Sequence, residues 1–168
     1  MTNMTTTTQT TPGPTADSAG AFEWRLATFD ALSGPTLYAL LQLRSEVFVV
    51  EQNCVFQDLD GADAQALHVM GWQHGALQAY ARCFPAGVKY AEASIGRVVT
   101  RQSARGDGLG HRLIQQALQS VHAQWGTQPI RIGAQAQLEA FYRQHGFMPA
   151  GPVYVEDGID HLEMLRQP

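Results

Sequence analysis

RGDGLGHRL, Arg105 to Leu113, sets three glycines into six residues and then runs straight into an apolar repeat. Upstream, SIGRVVT (Ser94 to Thr100) predicts a strand. Downstream, Leu109, Leu113, Ala117 and Val121, with Ile114 and Leu118 beside them, follow the helical period and predict an amphipathic helix up to about His122. A loop made almost wholly of backbone therefore joins a strand to a helix start. Amides at a helix N-terminus have no acceptor within the helix, and the helix dipole adds positive potential there. Glycines let that backbone approach an anion closely, because no Cβ intervenes. A pyrophosphate fits this arrangement; the plain alternative is a tight turn with no ligand. A dinucleotide fingerprint fails, since its third glycine would fall on His111, and a Walker loop lacks its Gly-Lys-Ser/Thr. An Arg-Gly-Asp adhesion loop needs an exposed tip, whereas this tripeptide leads into a helix.

The same two periods organise the rest of the chain. AFEWRLAT alternates Phe22, Trp24 and Leu26 with polar or small residues and predicts a half-buried strand. Ser33 can cap a helix with Pro35 in its first turn; its core stripe (Leu37, Leu40, Leu41, Val47, Phe48) is interrupted by Arg44. NCVFQDLDGAD reads as a loop, and HVMGW and ALQAYARCF as two strands joined at Gln73 to Gly75. PIRIGA predicts a strand, QLEAFYRQHGF a helix capped by Gly146, and PVYVEDGIDHLEML two strands around Asp157-Gly158. Strands and helices in this order predict an α/β domain with a central mixed sheet.

A chain of 168 residues with 45% apolar content is the size and composition of one globular domain. Its net charge of −4 and scattered arginines offer no basic stripe for nucleic acid. No apolar run spans a bilayer, so no membrane association is expected. Cys54 and Cys83 have no metal-type spacing and no His-Glu-x-x-His run exists, so no metal is expected. Asp58-x-Asp60-Gly61 opens like a calcium loop, but its glycine comes too early and the closing glutamate is missing. Residues 1–20, rich in Thr and Pro, lack the apolar core of a secretion signal and are expected to be a disordered tail before a domain at 21–168.

Arg105-Gly-Asp-Gly108-Leu-Gly110 after an apolar strand resembles the Arg/Gln-x-x-Gly-x-Gly/Ala acyl-CoA loop of the GNAT-superfamily N-acetyltransferases. FYRQHGF (Phe141 to Phe147) is similar to a second recurrent segment of that superfamily. LRSEVFVVEQNCVFQDLDGAD, IGRVV, GAQAQLEAFYRQHGF and VYVEDGIDHLEM together resemble its ElaA-like bacterial subgroup, over about Phe22 to Leu165. The resemblance implies a GNAT-type central mixed β-sheet flanked by helices in a single domain. It also implies a cytoplasmic enzyme, monomer or homodimer, that moves an acetyl group from the cosubstrate acetyl-CoA to a primary amine by direct attack. The acceptor would be a small-molecule or peptide amine of unspecified identity. A non-catalytic acyl-CoA sensor is the alternative from another class.

On that resemblance, Val98, Val99 and Thr100 would pair with the pantetheine arm. The amides of Arg105, Gly106, Asp107, Gly108, Leu109, Gly110 and His111 would take the pyrophosphate. The thioester would lie where the fourth and fifth strands splay, with an amide near Val98 polarising its carbonyl. Tyr142 matches the tyrosine that often serves the superfamily as general acid, although Leu138, Phe141 and Tyr142 share a helical face and packing is its other role. For the base, Glu92 precedes the fourth strand and Glu51 closes the first helix beside the acceptor side; each also fits a solvated carboxylate. Arg97, facing away from Val98, could bind an anion or pair with a carboxylate. His68 and His161, on predicted strands, could each be a base or contact the acceptor, or be merely hydrogen-bonded. Cys83 or Cys54 would need a histidine neighbour to carry an acyl group. The acidic loop of Glu51, Asp58, Asp60 and Asp63 favours a cationic acceptor.

Overall fold

A computed structural model describes residues 21–168. The expected tail at 1–20 lies outside the described residues. Seven strands form one sheet: β1 (Glu23–Thr28), β2 (Leu67–Gln73), β3 (Ala76–Phe84), β4 (Ala93–Thr100), β5 (Ile130–Gln135), β6 (Met148–Glu156) and β7 (Ile159–Arg166). Their spatial order is β1-β2-β3-β4-β5-β7-β6, and every neighbouring pair is antiparallel except β4 and β5. Three helices flank it: α1 (Gly34–Arg44), α2 (Leu109–Trp125) and α3 (Glu139–Arg143).

The core divides by face. Leu40 and Leu43 of α1 pack with Met70, Leu77, Tyr80 and Val99. On the other face Leu113, Ile114, Ala117 and Val121 of α2 pack with Val69, Ala79, Ala81 and Ile95. Strand residues alternate between the two clusters because successive side chains point to opposite faces. A bulge opposite the Gly71–Trp72 step shifts the β2–β3 register, which is why Leu77 and Ala79, two apart, serve different faces.

Two expectations shift. Phe22 and Trp24 pack on the α2 face, but Leu26 is 48% exposed, since β1 is the outermost strand with one neighbour. Helix α2 runs to Trp125, past the expected end at His122; no breaker occurs before Gly126, whose left-handed backbone (φ 82°) caps it. Helix α1 is capped by the Ser33 hydroxyl accepting from the Thr36 amide, and it widens into a π-helical stretch, Ser45–Glu51. That wide turn brings Phe48 and Gln52 to the same cavity.

Candidate active site

β4 and β5 pair only at Ala93 with Ile130 and Ser94 with Arg131, and then part. The divergence has a local cause. Arg97 and Val98 of β4 together oppose Ala81 of β3, between the pairs Tyr80–Val99 and Arg82–Gly96, and Arg97 takes a left-handed φ of 49°. This bulge bends β4 away from its parallel neighbour. A cavity of about 500 Å3 opens there, bordered by Gly96, Val98, Ala134, Tyr142 and His161 among others.

After β4 a short 3-10 turn, Gln102–Ala104, leads to the glycine loop. Gly106 (φ 109°) and Gly108 (φ 70°) are left-handed, and a Cβ on either would meet nothing within 4 Å. The first turn of α2 closes with the Arg112 amide donating to the Gly108 carbonyl, so the amides of Leu109, Gly110 and His111 precede the helical ladder. Gly106 and Gly108 leave open backbone at the start of a long helix, an arrangement that fits a phosphate group. Gly110 serves packing: a Cβ there would lie 3.5 Å from the Phe141 ring. The His111 ring stacks near Phe141 and shares a 2.9 Å hydrogen bond with His145, whose pKa is lowered by burial and then by the His111 charge. Arg105 turns back, donating to the Thr100 carbonyl at 2.9 Å and clamping Glu51.

Tyr142 borders the cavity yet is only 6% exposed, and burial pushes its phenol up to about 12. His161 borders it as well. Its Nδ1 lies 2.8 Å from the Ile159 carbonyl. A carbonyl only accepts, so Nδ1 carries a proton, which leaves Nε2 as the ring atom available for proton exchange.

Other expected residues lie elsewhere. Glu92 is gripped by Arg131 through two bonds of 2.9 and 2.7 Å outside the cavity lining. That hydrogen-bonded guanidinium lowers its pKa, which weakens it as a base. His68 is fully buried between the Tyr80 hydroxyl (2.8 Å) and the Asp63 carbonyl (3.0 Å), away from the cavity. Of the two strand histidines it is His161 that reaches the cavity. Cys83 is buried in the core and its thiol is pushed up to about 12 by burial, so it is no nucleophile. Cys54 borders the cavity, with its thiol 3.4 Å from the Asp157 carbonyl.

The acidic loop is the largest correction. Asp58 meets Arg44 and Arg97, Asp63 meets Arg44 and Arg82, Asp60 meets Arg82 and Lys89, and Glu51 meets Arg105. None offers a free negative charge, because each is already neutralised by a cation brought in from another element. The loop therefore does not favour a cationic acceptor.

Residues 46–167 match the family model described as an acetyltransferase (GNAT) domain. The chain belongs to the GNAT acetyltransferase family. It is 43% identical to the protein ElaA of Escherichia coli over 147 residues, covering 86% of this chain and 96% of ElaA. Among solved structures it is similar to an acyl-CoA N-acyltransferase from Pseudomonas aeruginosa, with TM-score 0.83, 43% identity and coverage of 87% and 99%. The crystal structure of Escherichia coli ElaA gives TM-score 0.82 at 42% identity, covering 88% of this chain and all of the other. The GNAT fold, a mixed seven-stranded sheet flanked by helices, is the architecture described above. Enzymes of this family generally use acyl-CoA as cosubstrate and act on amine acceptors. Among the described residues no helix is long and apolar enough to cross a membrane.

Proposed function

We propose that the protein transfers an acetyl group from acetyl-CoA to a primary amine by direct attack of the amine. The observation that carries this reading is the parting of β4 from β5 beyond Ser94, beside a glycine cradle at the start of α2. Acetyl-CoA supplies an activated acyl carbon with a thiolate leaving group. The amides from Arg105 to His111 receive its pyrophosphate, and the β4 backbone at Val98, Val99 and Thr100 lines the path of its pantetheine arm. A backbone amide near Val98 polarises the acyl carbonyl.

An alkyl ammonium has no lone pair, so the acceptor must lose a proton. His161 Nε2 takes that role, its ring oriented by the Ile159 carbonyl. Tyr142 stays protonated throughout the neutral range, because burial raises its pKa. It holds a hydrogen-bond donor toward the departing sulfur while charge builds there. Full transfer of the phenolic proton to an ordinary thiolate would run uphill, given a thiol pKa of about 8.5. Stabilisation of the charge is therefore its main contribution.

The test is thiol release from acetyl-CoA by the purified protein across an amine library. His161→Asn should lower kcat by roughly 10²-fold or more at neutral pH. The loss should shrink at alkaline pH, where more acceptor is already unprotonated. CoA binding with no thiol released for any amine would instead establish the sensor reading.

A further inference from the structure

Seven charged side chains form one alternating chain that starts and ends at the cavity: Arg97, Asp58, Arg44, Asp63, Arg82, Asp60 and Lys89, with successive contacts of 2.7 to 3.1 Å. Four cations alternate with three carboxylates, so both ends are cations and the chain carries one net positive charge. Its interior is buried: Arg44 is 0%, Asp58 4%, Asp63 9% and Arg82 3% exposed. The ends are open. Arg97 and Lys89 have side chains 28% and 35% exposed, and both border the cavity. Arg97 meets the Asp58 carboxylate and carbonyl, and Lys89 meets the Asp60 carboxylate.

Between these ends lies a floor set by strand register. Arg82 and Phe84 of β3 stand opposite Gly96 and Ser94 of β4. The Lys89 ammonium and the Arg82 guanidinium sit 5.6 and 5.0 Å from the Phe84 ring centroid. The Ser94 hydroxyl is buried, borders the cavity and has no hydrogen-bond partner among the described residues. Arg82 Nε is likewise without one. A Cβ on Gly96 would meet nothing within 4 Å, so the space above the floor is open. Buried donors are rarely left unpaired. An unpaired hydroxyl and two half-open cations border one cavity, an arrangement that an anion would complete. The remaining carboxylates of the cavity are exposed, Glu156 at the end of β6 and Asp157 in the turn that follows.

We propose that this floor binds a carboxylate of the acceptor itself, and that the acceptor is a free α-amino acid. The inference rests on the transfer reaction above. Gly96 and Val98 are two residues apart, a step of roughly 7 Å in an extended strand and shorter across the bulge at Arg97. A carboxylate over Gly96 and Ser94 therefore puts a nitrogen a few bonds away toward Val98, where the acyl group would lie. A polyamine or aminoglycoside brings no anion and would set its cations against Arg97 and Lys89.

The experiment compares amino acids with their carboxamides and their decarboxylated amines, using leucine, leucinamide and isopentylamine as one matched set. With acetyl-CoA, kcat/KM for the acid should exceed that for the amide by about 10- to 100-fold, the worth of a charge-assisted hydrogen bond. Lys89→Gln and Arg97→Gln should each narrow that ratio by about tenfold, mainly through KM, with melting temperatures confirming that the variants fold. Lys89 lies at the exposed end of the chain, so its variant tests the site even if Arg97→Gln unfolds. A second arm needs no turnover: in saturating CoA, leucine at millimolar concentration should raise the melting temperature and leucinamide should not. Equal performance of acid and amide in both arms, or a ratio unchanged in Lys89→Gln, overturns the proposal. Binding of the acid without thiol release keeps the carboxylate site and sinks only the transfer reading.

Discussion

Arg105 and Glu51 hold each other by two parallel contacts, Nη1 to Oε1 at 2.6 Å and Nη2 to Oε2 at 3.0 Å, across 54 residues of sequence. The carboxylate expected at the acceptor instead ties the end of the π-helical stretch to the first residue of the glycine loop. Both side chains are about a third exposed, so the pair contributes little to stability. Its effect falls on the loop's potential. Glu51→Gln removes a negative charge beside the proposed pyrophosphate cradle and should tighten CoA binding by a few-fold, about 1 kcal/mol at most. Isothermal titration with CoA at low and high salt checks this, the difference shrinking as salt rises.

Gly108→Glu should abolish CoA binding. Its Cβ would enter the open space in front of the cradle, and its carboxylate would repel the phosphates. The left-handed φ of 70° adds a cost of roughly 1–2 kcal/mol to the fold. The variant should thus melt a few degrees lower and show no further rise with CoA, whereas the unaltered protein does. A normal CoA-dependent shift in the variant would remove the loop from the cofactor site.

Tyr142→Phe separates a catalytic hydroxyl from a packing ring. The ring contacts Phe141 and Phe147 edge-on, and phenylalanine keeps both. Turnover should fall by about 10²-fold with CoA affinity unchanged, as for the loss of one preorganised donor. Turnover near that of the original protein would make Tyr142 structural.

Arg44 is the keystone of the ionic chain, fully buried and bound to both Asp58 and Asp63 at 2.7 Å. Arg44→Met keeps the volume and leaves two buried carboxylates short of a partner. The expected cost is about 3–5 kcal/mol, or roughly a 10 °C fall in melting temperature. Calorimetry checks the size. A loss under 1 kcal/mol would mean that Arg82 and Arg97 suffice to neutralise the two aspartates.

Alkaline pH should weaken the fold in a defined window. Burial raises Tyr142 and Tyr90 from 10.0 to about 12, and Cys83 from 9.0 to about 12. A group raised in the folded state keeps its full contribution below its unfolded pKa and loses it as pH climbs through the folded value. Stability should therefore hold to about pH 9 and decline progressively toward pH 12. Urea midpoints at pH 8, 9.5 and 11 measure this, and a midpoint constant across that range would contradict the burial of these groups.

The elements were legible because their periods are strong. The apolar face of α2 and the punctuating glycines at 146 and 158 carry their own local geometry, and the structure moves the helix ends by a turn at most. The glycine loop was legible for the same reason, since left-handed glycines before an amphipathic run need no distant partner. Arg44 was visible as a break in a core stripe, but nothing local names its partners. His68 and His161 looked alike as lone histidines on strands; burial separates them, since β2 is covered on both faces while β7 turns His161 into the cavity.

Sequence alone thus determined the order of strands and helices and the glycine loop at a helix start, because both depend on spacing within a few residues. Tertiary structure decided the charge of the site. Asp58 finds Arg44 at 14 residues' distance and Arg97 at 39, and which cations remain open to a ligand depends on which carboxylates the fold has already neutralised. Coulomb interactions follow distance in space, and only the folded sheet, bent by the bulge at Arg97, fixes those distances.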